Sequence, residues 1–166
     1  GLITYMRTDS TRISKEMQVM AKDYIIRNYG EDYYPSKPNM YGAKGSAQDA
    51  HEAIRPTSLE LTPKMVEPFL SRDELKLYTL IWNRFMASQM APQQNESTTI
   101  ELTVHDDYTF KATGSRVIFP GFSAVYEDAK KEDVPQLPAL KKNDAAHTVE
   151  VLPEQHFTQP PPRYSE

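Results

Sequence analysis

The feature that most constrains this chain is a change of hydrophobic period at Ala91-Pro92. Before it, apolar residues recur at the three-and-four spacing of helices that bury one face. After it, they alternate with polar residues, the period of a strand. Proline at 92 lacks a donor N–H and disfavours helical geometry at the residue before it, so the break is enforced by the backbone. The sequence therefore predicts an α+β chain. Residues 1–91 form a helical part and residues 92–166 a mainly antiparallel β part, with the boundary near residues 91–95.

Within the helical part, Ser14 suits an N-cap for a helix running to about Tyr29, with Gly30 as its terminator. Met17, Met20, Ala21, Tyr24 and Ile25 mark its buried face. Residues 31–47 hold two prolines, two glycines and several tyrosines, the composition of a long surface loop. Asp49 to Arg55 reads as a short helix stopped by Pro56, and Thr62-Pro63 as the start of another helical turn. Ser71-Arg72-Asp73-Glu74 is a capping box, followed by Leu75, Tyr78, Trp82, Phe85 and Met86 on one face down to Met90.

In the second part, Thr98–Val104 alternates as a half-buried strand. Tyr108–Ala112 and Ser115–Phe119 read as two strands joined near Gly114, and His147–Val151 repeats the strand signal. Glu127–Pro138 is charged and proline-bearing, as expected of a loop. Pro160-Pro161-Pro162 imposes a stiff extended backbone, suited to a hinge or to a polyproline ligand.

Composition narrows the function classes. Cysteine is absent from the 166 residues, which excludes disulfides, thiolate metal sites and cysteine nucleophiles, and suits a cytosolic setting. No apolar run is long enough to span a membrane, and no secretory signal opens the chain. Both ends read as cut from a longer protein: Gly1 is no initiator, and Ser165 sets up a helix cap at the last residues. Net charge is −4, with 12 Lys+Arg against 11 Asp+Glu in residues 1–91 and 7 against 12 in residues 92–166. An extensive basic stripe is thus excluded, while a local anion site in the first half is not.

Two clusters suit phosphate chemistry. Tyr5 carries a phenol that becomes a useful nucleophile only beside cations, and Arg7, two residues on in an expected strand, would share its face. Thr8, Asp9, Ser10 and Thr11 add short hydrogen-bonding side chains, and Arg12 and Lys15 add positive charge. By composition alone, a tyrosine beside an arginine is more often an amphipathic pair on a sheet surface. In the second cluster, His51 and Arg55 would share one helical face and could meet one phosphate, with ordinary surface pairing of Asp49, Glu52 and Arg55 as the alternative. His51-Glu52 opens like a zinc-protease helix, but position 55 is Arg rather than His, so that reading fails. Tyr29, Tyr33, Tyr34 and Tyr41 could stack on bases or pack their own loop.

Three segments together carry a resemblance. Gly1-Leu2-Ile3-Thr4-Tyr5-Met6-Arg7-Thr8-Asp9-Ser10 resembles the active-site tyrosine motif of type IA DNA topoisomerases, and Met6 resembles the bacterial topoisomerase I branch. His51-Glu52-Ala53-Ile54-Arg55-Pro56-Thr57 and the segment from Phe157 through Pro160-Pro161-Pro162-Arg163-Tyr164 to Glu166 resemble two further motifs of that family, in the same order.

The resemblance implies that Tyr5 cleaves one DNA strand as a 5′-phosphotyrosine ester, relaxing negatively supercoiled DNA. Arg7 would steady the scissile phosphate and His51 the nearby backbone, with Arg12, Lys15, Arg55 and Arg163 as further DNA contacts. It implies a helical tyrosine domain over residues 1–91 and a β-rich arch over 92–166. Magnesium would bind in a Toprim domain outside these residues, with no metal or other cofactor held here. Single-stranded DNA would bind these residues only weakly, and without the Toprim and base domains they would be inactive. The setting implied is the bacterial cytoplasm, at the nucleoid. A non-catalytic DNA-binding or scaffold module is the alternative.

Overall fold

The structure, a computed structural model, describes residues 1–41, 51–104, 108–126 and 137–161. Among these residues, three α-helices and a two-stranded antiparallel sheet give an α+β architecture. Helix α1 spans Lys15–Tyr29. The Ser14 hydroxyl accepts from the Met17 N–H at 3.3 Å, satisfying a donor that the first turn leaves unpaired. Gly30 ends the helix at φ 108°, where its N–H donates to the Ile25 and Ile26 carbonyls. Met17, Ala21, Tyr24 and Ile25 face the core. Met20 does not: it lies at the edge of that arc and is exposed.

Helix α2, Pro63–Val66, is a single turn capped by Thr62. Helix α3, Arg72–Gln89, starts from the reciprocal Ser71–Glu74 capping box and buries Tyr78, Trp82, Phe85 and Met86. The core lies where α3 meets α1 and α2, with Leu59, Val66 and Met90 filling between them. Tyr24 and Trp82 meet edge to face at 5.8 Å, and the Tyr78 hydroxyl donates to the Leu61 carbonyl at 2.6 Å. The tyrosines after α1 join this packing. The rings of Tyr29 and Tyr33 meet at a tilt, 5.9 Å apart, Lys22 lies over Tyr34, and the Tyr41 hydroxyl donates to the Ser88 carbonyl.

After Ala91 the chain leaves as a ribbon of two long strands, β1 (Gln94–Val104) and β2 (Tyr108–Phe119). Three sequence expectations are corrected here. β2 runs unbroken through Gly114, which pairs with Thr98, because the long facing strand supplies ladder partners on both sides of it. β1 begins four residues earlier than its alternation suggests and is exposed along nearly its whole length rather than half-buried. His147–Val151 forms no strand: it finds no ladder partner among the described residues, and Val149 is 98% exposed.

The ribbon's far strand returns to the helical layer. The Phe119 ring lies 4.8 Å from that of Tyr33, and the Phe122 N–H donates to the Ala91 carbonyl at 2.9 Å. Residues 119–126 thus pack on the helices although they follow the strands in sequence. Residues 137–161 carry no regular secondary structure. The expectation for Glu127–Pro138 falls largely outside the described residues. No helix among the described residues is long and apolar enough to cross a membrane.

Candidate active site

The Tyr5 and His51 motifs are stitched together through their backbones. The Thr57 N–H donates to the Leu2 carbonyl at 3.0 Å, the Thr4 N–H to the Arg55 carbonyl at 2.9 Å, and the Ala53 N–H to the Arg12 carbonyl at 2.8 Å. Ile3 and Pro56 form an isolated antiparallel bridge. Over His51–Arg55, the described part of the helix expected from Asp49 to Arg55, this pairing takes the place of helix. The peptide groups of residues 51–57 bond to a neighbouring segment instead of to the residue four back, so no helical turn forms. His51 and Arg55 therefore share no helical face, and Gln48 and Asp49 lie outside the described residues.

Two hydroxyls pin the tyrosine segment at its ends. Thr4 Oγ1 donates to the Ala53 carbonyl at 2.8 Å and accepts from the Arg55 N–H at 3.0 Å. Ser10, only 7% exposed, donates to the His51 carbonyl at 2.7 Å and accepts from the Arg12 N–H at 3.2 Å. Residues 5–9 bulge outward between those pins. They are not strand: the Arg7 N–H turns back to the Tyr5 carbonyl at 2.9 Å, closing a three-residue turn about Met6. The alternating-face argument for Tyr5 and Arg7 therefore fails, and both are presented by a turn. Tyr5 is 79% exposed, and its hydroxyl makes no hydrogen bond with any described residue.

Arg7 is held from two sides. Its Nε donates to Asp9 Oδ2 at 2.8 Å and its Nη1 to His51 Nε2 at 3.1 Å. Arginine cannot accept a hydrogen bond, so Nε2 must be the acceptor and the proton of the neutral ring sits on Nδ1. That Nδ1 is buried without a hydrogen-bond partner. Nη2 of Arg7 has no partner among the described residues and stays available for an anion.

The other cations are placed differently. Arg12 Nε reaches the His51 carbonyl at 3.4 Å, so it borders the site, and Lys15 is exposed at the first turn of α1. Arg55 turns away from solvent, its side chain 12% exposed, and bonds to the Glu52 carboxylate and the Pro56 carbonyl. Burial alone would raise the Glu52 carboxyl. The Arg55 hydrogen bond and charge, with hydrogen bonds from Ser14, outweigh it and hold that carboxyl below its ordinary range. Arg163 lies outside the described residues. Among the described residues, no group of three or more His, Asp or Glu side chains is placed to hold a metal ion.

A family model described as DNA topoisomerase matches residues 1–166, the whole chain. The chain belongs to the DNA topoisomerase family. It is 45% identical to DNA topoisomerase 1 of Xylella fastidiosa strain Temecula1, and equally to that of strain 9a5c, over all of this chain and 21% of each relative. The solved full-length topoisomerase I of Thermotoga maritima is similar over 83% of this chain and 21% of that one, at 40% identity and a TM-score of 0.66. The chain thus spans about a fifth of the length of these relatives.

The geometry adds residues that sequence reasoning passed over. Thr4 had no assigned part, and Ser10 and Asp9 counted only as short polar side chains. Their signal was that type itself: side chains this short reach neighbouring backbone or an adjacent guanidinium with little conformational loss.

Proposed function

We propose that this chain supplies the nucleophile for reversible cleavage of one DNA strand in a type IA topoisomerase reaction. The observation that carries this reading is the exposed Tyr5 on a turn whose third residue, Arg7, is fixed by Asp9 and His51, with Nη2 unpaired among the described residues. In the step proposed, Tyr5 Oη attacks the phosphorus of a DNA phosphodiester. A bond from tyrosine oxygen to phosphorus forms and the bond to the upstream 3′ oxygen breaks. The phenol proton is lost, and the departing 3′ oxygen gains a proton to leave as a hydroxyl. Reversal rejoins the strand, and passage between the two steps relaxes negative supercoils.

In this reading, Arg7 meets the charge that grows on the phosphate oxygens. A single guanidinium in a fixed orientation does this better than a mobile one, because its dipoles need not reorganise during reaction. His51 borders the same phosphate, and Arg12 and Lys15 extend the positive surface along the strand. Arg55 supports the site from inside, consistent with its pairing to Glu52. Residues 1–91 are the tyrosine-bearing domain and 92–166 part of an arch, in the bacterial cytoplasm. Magnesium, on this reading, takes its ligands from a Toprim domain outside the described residues, so these residues alone bind single-stranded DNA weakly and do not cleave it.

The test uses the intact protein with magnesium and end-labelled single-stranded DNA, trapped with denaturant. A covalent adduct in the unaltered protein that is lost in Tyr5→Phe supports the assignment. An adduct of equal yield in Tyr5→Phe removes it.

A further inference from the structure

Arg7 is tethered at Nε as well as at Nη1, and the Nε tether is a carboxylate on its own turn. One hydrogen bond would leave the guanidinium free to swivel about that contact. Two bonds from opposite sides, one to Asp9 and one to His51, fix both the position and the plane of the group. They also consume only two of its five N–H bonds. Asp9 is 40% exposed and Arg7 41%, so the pair contributes little to folding. Placing an anion beside the cation that must receive a phosphate weakens long-range attraction for DNA. The arrangement therefore favours orientation over affinity.

We propose that Asp9 is a positioning residue for strand cleavage: it orients the Arg7 guanidinium against His51 so that Nη2 faces the phosphate. This rests on the reading of Tyr5 as nucleophile. Asp9 touches neither DNA nor the reacting atoms, and acts through Arg7. Removing it should slow the chemical step without weakening the noncovalent complex, since Arg7 keeps its charge. A variant that still accepts from Nε should restore the rate without the carboxylate charge.

The experiment compares Asp9→Ala and Asp9→Asn with the unaltered intact protein. It measures single-turnover adduct formation on end-labelled single-stranded DNA with magnesium, beside noncovalent DNA affinity without magnesium. A misplaced catalytic group costs up to about 100-fold in rate, so Asp9→Ala should cleave about 10- to 100-fold more slowly. Its affinity should stay within about threefold, or rise slightly as a negative charge is removed. Asp9→Asn, whose amide oxygen accepts from Nε, should recover most of the rate.

An Asp9→Ala protein that cleaves at the unaltered rate overturns the proposal. So does an affinity loss matching the rate loss, or an Asp9→Asn protein as slow as Asp9→Ala. Thermal unfolding of both variants should match the unaltered protein, and a lowered midpoint in either reassigns Asp9 to the fold. Tyr5→Phe separates the two levels. An adduct surviving there defeats the nucleophile reading, whereas an adduct lost there beside normal cleavage by Asp9→Ala defeats only this inference.

Discussion

The guanidinium of Arg7 and the imidazole of His51 meet at 3.1 Å, Nη1 against Nε2. Because a guanidinium can only donate, Nε2 is the acceptor and the neutral ring carries its proton on Nδ1.

The expected outcome is a His51 ring carrying its proton on Nδ1. Nitrogen-15 long-range correlation spectra in mildly alkaline buffer should show this tautomer in the unaltered protein. In Arg7→Ala the ring should shift toward the commoner Nε2–H form. An Nε2–H ring in the unaltered protein would contradict the Arg7–His51 bond.

The two pins make a second prediction. Thr4→Val keeps the side-chain shape but removes the hydroxyl that bridges Ala53 and Arg55, and Ser10→Ala removes the hold on the His51 carbonyl. Each should lower stability by about 1–2 kcal/mol, the worth of part-buried hydrogen bonds whose partners are left unmet. Cleavage should slow in both, because the turn carrying Tyr5 and Arg7 loses an anchor. Denaturant titration checks the first effect and single-turnover adduct formation the second.

Glu52 predicts an acid dependence. Its carboxyl is held below the ordinary range when folded, so the unfolded chain takes up that proton at higher pH. The stability contributed by the Glu52–Arg55 pair is therefore fully present above the ordinary glutamate range. It is lost as pH falls through the lowered folded value. Glu52→Gln should remove this part of the acid dependence. Near neutral pH it should cost about 1–3 kcal/mol, by weakening a charged hydrogen bond to a nearly buried arginine. Thermal melts across the acid range test the sign.

Two glycines should respond unequally to alanine. At Gly121, φ is 50° and an added Cβ would stand 2.5 Å from the Ala91 and Pro92 carbonyl oxygens. Strain and overpacking together should cost about 2–5 kcal/mol in Gly121→Ala. At Gly30, φ is 108° but no atom lies within 4 Å of the added Cβ. Gly30→Ala should cost about 1–3 kcal/mol, from backbone strain alone. Equal unfolding midpoints would refute the close approach at Gly121.

What the sequence revealed and what it hid follow from the range of the interactions. Ser14, Gly30, Thr62 and the Ser71–Glu74 box act within one turn of their own helix, and each is found where its local chemistry points. The segment from His51 to Thr57 has a helix-like spacing but takes its backbone partners from residues 2, 4 and 12, which no local pattern encodes. Gly114 misled for the opposite reason. Glycine permits a turn without requiring one, and the length of the facing strand decided the matter. At the site, Tyr5 and Arg7 stood out as residue types suited to phosphate. Their presentation on a turn depends on Thr4 and Ser10 reaching a segment more than 40 positions away.

The ribbon has a mechanical consequence. Its root is clamped by the tilted Tyr33–Phe119 ring contact and by the Ala91–Phe122 hydrogen bond, whereas among the described residues its two faces are uncovered along most of their length. It is a cantilever built on the helical layer. Eleven paired residues at strand rise extend it by about 35 Å. A tilt of about 10° at the root therefore displaces the tip by about 6 Å over that length. Small repacking around Phe119 and Gly121 becomes a large excursion at Val104 and Tyr108.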